Sequence, residues 1–185
     1  MKKLLFLFLL TFATMIFAAE KEINLPFAQD SSKYWQYISD KTMGGVSDGR
    51  AVLEQDGELF FARLTGNVST KNNGGFIQLR SNLSFANFEK EGKKIKGVRL
   101  NVRGNGETYH IFVRTNETRS YRDYYSTSFT ANSNWKMVDL PFNKFRHRLS
   151  NDLNLEGKNV RTFGIVAYGR DFISDVSISK IIFYY

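Results

Sequence analysis

The chain has 185 residues, a formal net charge of +8 and an aromatic content of 15%, with 2 Pro and no Cys. This length suits one domain of the ordinary size of roughly 100–200 residues. The lack of cysteine excludes a disulfide scaffold, a thiolate zinc site and a cysteine nucleophile, and the aromatic content excludes a disordered or collagen-like chain.

The N-terminus has the pattern of a secretory signal peptide. Lys2 and Lys3 precede an apolar run over residues 4–12, and the small residues Ala18 and Ala19 follow. A charged start, an apolar stretch and a small-residue cleavage site are typical of export signals in this order. We therefore predict a signal peptide over residues 1–19, a single domain over residues 20–185, and an exported protein that is periplasmic or secreted.

Export changes the meaning of the positive charge. Removal of Lys2 and Lys3 lowers the net charge from +8 to +6, so a basic excess remains. Outside the cytoplasm a basic surface suits anionic envelope polymers, acidic glycans or lipid head groups rather than nucleic acid. We expect a protein or glycan partner in the envelope, no nucleic acid, and no stable membrane insertion after cleavage. The oligomeric state stays open.

Alternation of apolar and polar residues predicts β-strands along the rest of the chain. Turn signals such as Asp56-Gly57 separate the strands, and residues 84–94 form the one segment with a short helical period. The last run is too apolar for a sheet edge, so we expect it in the interior of a sheet. The predicted strands span residues 51–55, 59–68, 76–81, 98–103, 109–115, 121–129, 136–140, 162–167 and 177–185.

Two of these strands give the clearest local prediction. Residues 98–103 and 109–115 both alternate, and the short turn between them contains Asn105-Gly106. An Asn-Gly pair supplies the positive φ angles of a type I′ turn, so we predict a β-hairpin. Eight or more strands without crossover helices predict an all-β fold, a β-sandwich or jelly roll, with few or no helices after the signal peptide.

Residues 45–49 match the G-x-S-x-G pattern of a nucleophile elbow, with Ser47 at its centre. An elbow needs a buried strand before it and a helix after it, whereas a strand follows here. His110 and His147 are the two histidines available as a base. We predict no catalytic residues and no enzyme, and a serine or glycoside hydrolase is the less favoured alternative.

We predict no metal and no cofactor. Two histidines and no cysteine argue against a zinc site. Asp40, Asp48 and loop carbonyls are oxygen ligands of the kind that calcium takes, but aspartates in a glycine-rich stretch are more often turn residues. A structural calcium therefore stays an open alternative.

Several motifs occur together and in order along the chain. They are Trp35 with residues 39–47, Phe61 with residues 66–69, the Asn-Asn-Gly-Gly-Phe run of residues 72–76 with Arg80, residues 97–106 with Tyr109 and Arg114, Trp135 with residues 140–142 and Phe145, and residues 161–165. Over about residues 27–185 the chain resembles the complex I intermediate-associated protein 30 family, with Asn105 where that family has Asp.

This resemblance implies a galactose-binding-like jelly roll, a fold shared with carbohydrate-binding modules. It also implies a noncatalytic chaperone or assembly role, known for mitochondrial respiratory complex I. The secretory signal departs from that role, because a matrix-side assembly factor does not act outside the inner membrane. We therefore expect a noncatalytic binding or assembly module of the cell envelope, with a carbohydrate-binding module as the alternative.

We predict that the partner binds on the concave face of the jelly roll. Tyrosine rings suit the flat faces of sugars, and arginine and other polar side chains suit their hydroxyl groups. The predicted binding residues are Arg99, Arg103, Tyr109, Arg114, Tyr121 and Tyr124.

The motif loops carry a second set of residues. Glycine pairs permit backbone conformations closed to other residues, Asp and Asn side chains bond loop backbone, and the fork of Arg80 can join two loops. The set forms either a structural clasp or a ligand site. Its members are Trp35, Asp40, Met43, Gly44, Gly45, Ser47, Asn72, Asn73, Gly74, Gly75, Phe76 and Arg80.

Overall fold

The computed structural model describes residues 22–27, 34–81, 94–150 and 155–185. The predicted signal peptide lies outside these residues, as does the predicted helix at 84–94 apart from Lys94. The strands of the described chain are β1 (Glu22–Pro26), β2 (Trp35–Ser39), β3 (Asp48–Asp56), β4 (Leu59–Val68), β5 (Phe76–Ser81), β6 (Gly97–Gly104), β7 (Thr108–Thr115), β8 (Tyr125–Thr130), β9 (Lys136–Pro141), β10 (Arg146–His147), β11 (Val160–Tyr168) and β12 (Phe172–Tyr184).

The strands form two antiparallel sheets that pack face to face. Sheet I has the order β3-β4-β12-β6-β9, with β1 also paired to β12, and sheet II has the order β10-β8-β7-β11-β5-β2. The predicted all-β sandwich is confirmed. Helix among the described residues is confined to short 3-10 segments such as Asp40–Met43, Lys71–Asn73 and Phe142–Lys144. This described part of the chain contains no helix that is long and apolar enough to cross a bilayer.

The core lies between the sheets because each strand turns one alternation inward. Val98 and Leu100 of β6 are fully buried from sheet I, and Ile111 of β7 is fully buried from sheet II. Aromatic side chains bridge the layers, since the Phe163 ring of β11 meets the Phe183 ring of β12 edge to face at 5.5 Å. Burial of these apolar side chains is the main stabilising contribution to the sandwich.

The C-terminal strand occupies the interior of sheet I, as its apolar sequence predicted. The first part of β12 pairs with β4, and its second part pairs with β6 and β1. With neighbours on both edges its backbone groups are satisfied, and residues 181–184 are all buried, which suits a run this apolar.

The predicted hairpin between residues 98–103 and 109–115 is wrong. β6 pairs with β9 and β12 in sheet I, whereas β7 pairs with β8 and β11 in sheet II. The connection is a corner between the sheets, and its N–H groups bond elsewhere: Gly104 donates to Asn132 at 2.6 Å, Asn105 to Asp175 at 3.1 Å, and Gly106 to Ala131 at 2.8 Å.

The physical reason lies in the core. Both strands bury an apolar alternation against the same interior, and two opposed sheets satisfy both at once. A type I′ turn needs positive φ at both central residues, but only Gly106 has it, at 86°. Alternation alone does not say which sheet a strand joins.

The strand predicted from residue 121 begins only at Tyr125. The preceding residues form a turn, in which Asp123 N–H donates to the Ser120 carbonyl at 3.2 Å and Arg119 N–H donates to the Asp123 carboxylate at 3.0 Å. These local bonds replace a sheet ladder, so Tyr121 lies in a loop instead of a strand.

Tyr109 holds the corner together from inside. Its buried hydroxyl donates to Asn105 Oδ1 at 2.7 Å and accepts the Asp175 N–H at 2.9 Å. Tyr109→Phe leaves both partners without this bond, so we expect the free energy of unfolding to fall by about 1–3 kcal/mol in urea denaturation. Tyr121→Phe, at an exposed hydroxyl, is the control and should change stability little. A Tyr109→Phe variant as stable as wild type would contradict this role.

Candidate functional site

Asp40 is the centre of a hydrogen-bonded clasp between the motif loops. Its side chain is 0% exposed. One carboxylate oxygen accepts the Ser47 N–H at 2.9 Å, and the other accepts the Ser47 hydroxyl and the N–H groups of Gly75 and Phe76 at 2.6 and 3.1 Å. Asp40 follows β2, Ser47 precedes β3 and Phe76 begins β5, so one carboxylate joins the ends of strands from both sheets.

The clasp depends on close packing around the carboxylate. A Cβ atom at Gly45 would lie 2.3 Å from Asp40 Cγ, and one at Gly74 would lie 2.5 Å from Asp40 Oδ2. Burial by itself would raise the pKa of the Asp40 carboxyl, but the hydrogen bonds from Ser47, Gly75 and Phe76 outweigh it and hold that pKa below its ordinary value.

The other motif-loop residues support the same loops. Gly44 ends the first 3-10 segment with a φ of 86°, and Asn72 and Asn73 take φ values of 56° and 57° in the second. Met43 is exposed, and the Trp35 ring packs on the buried ring of Phe27 with centroids 5.3 Å apart. The group that joins the loops is therefore Asp40.

The outer face of sheet II combines aromatic and polar side chains. On β5, β7 and β11 one alternation fills the core, and the other lies in rows across the paired strands. One row is Gln78, Val166, His110 and Ser128, a second is Arg80, Gly164, Phe112 and Ser126, and Phe76 opposes Tyr168. We call the surface formed by these residues, with Arg114, Tyr124 and Arg148, the sheet II face.

Aromatic rings form a second apolar cluster on this face, separate from the main core. Phe112 stacks on Tyr124 with centroids 4.0 Å apart, and Tyr168 meets Phe112 edge to face at 5.2 Å and His110 at 5.6 Å. Phe112 and Tyr124 are each 6% exposed, whereas Phe76, His110 and Tyr168 are half-buried. The face therefore presents ring surface to solvent at these three residues.

Arg148 holds two of the rings in place. Its Nη1 donates to the Tyr124 hydroxyl at 2.7 Å and to the Tyr168 hydroxyl at 2.9 Å. The hydrogen bonds to Tyr168 and Tyr124 raise the pKa of Arg148. Burial, and next the charge of Arg170, lower the pKa of His110, so its ring is neutral at pH 7 and offers one donor and one acceptor.

A basic pocket adjoins the face where β5, β7 and β11 lie side by side. Its volume is about 610 Å³, and it is open to solvent. Its lining residues are Arg80, Arg114, Thr118, Arg119, Ser120, Tyr121, Arg161 and Thr162. We call it the arginine pocket.

The predicted binding residues do not share one surface. Arg99 and Arg103 lie on β6 in sheet I, where their positive charges already face aromatic rings. Arg103 lies 4.9 Å from the Phe61 ring centre and 4.8 Å from that of Trp135, and Arg99 lies 4.4 Å from that of Tyr184.

Tyr109 is a core residue, because its alternation on β7 is the inward one, and it cannot present its ring to a ligand. Arg114 and Tyr121 line the arginine pocket, and Tyr124 lies in the aromatic cluster. The structure thus brings together Arg114, Tyr121 and Tyr124 with Phe76 and Arg80 of the motif set.

Sequence reasoning missed much of the sheet II face, including Gln78, Phe112, Arg148 and Tyr168. A signal existed on β7, where the aromatic Phe112 interrupts the polar alternation. Nothing local indicates Arg148, which reaches the tyrosines from the segment after β10.

The hydrolase alternative has no support at Ser47. Its hydroxyl is buried, donates to Asp40, and accepts the Ser69 N–H at 2.9 Å, so it belongs to the clasp. His147 instead links Asp123, at 2.7 Å from Nε2, with Ser150, at 2.8 Å from Nδ1. Because Leu149 N–H also donates to Nδ1, this arrangement closes a local turn.

The two aspartates considered for calcium are both engaged. Asp40 accepts the clasp hydrogen bonds, and exposed Asp48 forms an ion pair with Lys41. Across the residues with described positions, no three His, Cys, Asp or Glu side chains cluster so as to hold a metal ion.

Comparison with solved structures defines the fold class. The family 11 carbohydrate-binding module of the cellulosomal cellulase Lic26A-Cel5E of Clostridium thermocellum has a TM-score of 0.67 at 14% identity, over 90% of this chain and 95% of that one. The same organism's family 11 module in complex with a β-1,3-1,4-mixed-linked tetrasaccharide gives 0.65 at 15% identity, over 88% and 94%. A family 30 carbohydrate-binding module gives 0.53 at 13% identity, over 87% and 98%. The chain is therefore a galactose-binding-like jelly roll, as predicted.

Sequence comparison gives the family. The model of the complex I intermediate-associated protein 30 family matches residues 25–174, which is most of the chain. The chain belongs to this family, and the resemblance of its motifs is confirmed. None of the curated proteins matches it significantly.

Replacement of Asp40 tests the clasp. Asp40→Asn removes the charge that the buried N–H groups of Gly75 and Phe76 bond, so we expect the free energy of unfolding at pH 7 to fall by about 2–4 kcal/mol. Because the pKa of the folded carboxyl lies below the unfolded value of about 3.9, this stabilisation is present above that value and is lost as the pH falls through the folded pKa.

Urea denaturation across the acid range measures this difference. The gap between wild type and Asp40→Asn should be constant from about pH 7 to pH 5 and shrink below about pH 4. Asp48→Asn, at an exposed carboxylate, is the matched control and should cost little. A gap that stays unchanged at the lowest pH would mean that the ionised form of Asp40 is not what stabilises the loops.

Proposed function

We propose that the protein is a noncatalytic binding module that holds a glycan on the sheet II face. The observation that carries this proposal is the aromatic cluster fixed by Arg148, with the half-buried rings of Phe76, His110 and Tyr168 beside polar side chains. Sugar rings have apolar C–H faces that pack on aromatic rings and hydroxyl groups that bond at the edges. A sheet face with both kinds of group suits such a ligand.

Rigidity of the face favours binding. The hydroxyls of Tyr124 and Tyr168 are already bonded to Arg148, and Phe112 is wedged between their rings. A ligand therefore need not order these side chains, and the entropic cost of association is lower than for mobile tyrosines. Gly164 has no side chain, so the face is not filled at its middle, between Arg80 and Phe112.

The similar structures support the glycan as the ligand class. They are carbohydrate-binding modules, and one of them is in complex with a mixed-linked tetrasaccharide. At 14% and 15% identity they share the fold, and the side chains that would select a sugar are this chain's own.

An assembly role is the second candidate, and family membership favours it. The family is named for a protein associated with a complex I intermediate. In that case the sheet II face would hold a protein partner. Capture from the native envelope, with and without competing soluble polysaccharide, distinguishes the two, because only a glycan-binding face would release its partner to the sugar.

We further propose that the protein works outside the cytoplasm, on the basis of the charged and apolar pattern of residues 1–19. The purified protein from its native source should have an intact mass that lacks residues 1–18 or 1–19. A mature protein that retains residues 1–19, found in the cytoplasm, would contradict this. The control is the Leu7→Arg variant, which interrupts the apolar run and should block cleavage of the signal peptide.

Variants of the half-buried rings test the glycan proposal. Tyr168→Ala and Phe76→Ala each remove stacking surface, so we expect about tenfold weaker binding, or about 1.4 kcal/mol. Tyr168→Phe keeps the ring but loses the bond to Arg148, and its effect should be smaller. Affinity electrophoresis on mixed-linked β-glucan, xylan and polygalacturonate, followed by calorimetry, measures these changes.

Met137→Ala, at an exposed side chain of β9 on sheet I, is the control and should bind like wild type. If Tyr168→Ala bound polysaccharide as strongly as wild type, the sheet II face would not be the binding site. A wild-type protein that binds no polysaccharide, but is captured with an envelope protein, would favour the assembly role instead.

A further inference from the structure

We infer that the arginine pocket binds an anionic group, and that this group is the carboxylate or sulfate of an acidic sugar in the ligand. The anion site stands on the pocket itself. Only its assignment to a sugar rests on the glycan-binding function proposed for the sheet II face.

The lining of the pocket has one sign of charge. It contains the four arginines at positions 80, 114, 119 and 161, three hydroxyl side chains and Tyr121, and none of its lining residues is acidic. Guanidinium forks and hydroxyl groups are the usual donors for carboxylate, sulfate and phosphate oxygens.

The arginines repel one another in the free protein. Burial, and next the charge of Arg80, lower the pKa of Arg114 to about 10. Burial, and next the charge of Arg161, lower the pKa of Arg80. The carboxylate of Asp123 raises the pKa of Arg114 by less than either Arg80 or Arg161 lowers it. That carboxylate is already bonded to the Arg119 N–H and to His147. A bound anion would relieve this repulsion.

Donors beneath the pocket lack partners. Arg114 is 7% exposed, yet its Nη1 has no hydrogen bond, and the same holds for Arg80 Nε and Thr162 Oγ1. Buried polar groups in folded proteins almost always have a partner, so the unpaired groups beneath this cavity favour an occupant that supplies one.

The backbone aims these side chains into the pocket. The ladder between β11 and β7 shifts register between Val160 and Thr162, which is a β-bulge at Arg161. Consecutive strand residues normally point to opposite faces, but here Arg161 and Thr162 both line the pocket. On the opposite wall Arg114 Nη2 donates to the Tyr121 carbonyl at 2.9 Å, which fixes the loop before any ligand is present.

Continuity with the aromatic cluster favours an acidic sugar as the source of the anion. Arg80 lies in the same row as Gly164 and Phe112, and Arg114 opposes Thr162 in the next row. A chain of sugars on the sheet II face would reach the pocket with a neighbouring unit. A lipid head group would instead need an apolar rim, and Tyr121 is the one exposed large apolar residue among those that line the pocket.

Thermal unfolding with free anions tests the pocket. Sodium glucuronate and sodium sulfate are compared with sodium chloride at equal ionic strength, and glucose is the neutral control. We expect glucuronate or sulfate to raise the Tm of wild type by about 2–5 °C beyond chloride, and beyond the rise in Arg161→Gln, which corrects for the general stabilisation that sulfate gives to proteins. A Tm that follows ionic strength alone would overturn the proposal.

Arg161→Gln gives a readout that a purely structural arginine would not. Arg161 is exposed, so the variant should fold, and without anion its Tm should equal or exceed that of wild type because one repelling charge is gone. It should bind glucuronate or sulfate at least tenfold more weakly in calorimetry. Arg50→Gln on β3, in sheet I, is the matched charge control and should bind the anion like wild type. Full anion binding by Arg161→Gln would overturn the site.

Polymers separate this inference from the proposed function. Polygalacturonate or dextran sulfate should bind wild type at least tenfold more tightly than neutral glucan. An anion-dependent Tm shift with no binding of any polysaccharide would defeat the glycan function and the sugar assignment but not the anion site. Binding of neutral glucan without any effect of anions would defeat the anion site but not the glycan function. Preference for phosphatidylglycerol vesicles over both acidic polymers would overturn the sugar assignment.

Discussion

One buried carboxylate determines how the two sheets meet at one end of this protein. Asp40, which follows β2, accepts hydrogen bonds from Ser47, which precedes β3, and from Gly75 and Phe76 at the start of β5. The Phe76 N–H bonds Asp40 at the start of β5. From there Phe76, Gln78 and Arg80 alternate outward onto the sheet II face, while Ile77 and Leu79 are buried in the core. The glycines beside Asp40 matter because the carboxylate leaves no room for a side chain there.

The aromatic cluster and the adjoining arginine pocket are stabilised in opposite ways. In the aromatic cluster the rings pack on one another, and Arg148 bonds both tyrosine hydroxyls. In the arginine pocket, like charges are held together with unpaired donors beneath them. In our proposal, the aromatic cluster accepts the apolar face of a ligand and the arginine pocket accepts its negative charge, so that together they select a ligand with both features.

Much of the fold could be read from the sequence. The predicted bounds of β4 and β5 match the structure, and the apolar C-terminal run lies inside a sheet as expected. Such features depend on alternation and turn residues, which are local. The hairpin at Asn105-Gly106 failed because strand pairing is not local: the same alternation serves a strand in either sheet. Tyr109 was assigned to the surface for a similar reason, since only the packed core shows which alternation of β7 is inward.

The all-β class, the family and the residues of the motif loops follow from the sequence alone, because each of these depends on composition, period or residues near one another in the chain. Tertiary packing is what shows which sheet each strand joins and that Asp40 is the group that joins the loops. It also shows that Arg103 faces aromatic rings of sheet I while Arg114 faces a pocket of sheet II. Those outcomes depend on contacts between residues far apart in the chain, where burial and charge repulsion are fixed by packing and not by local pattern.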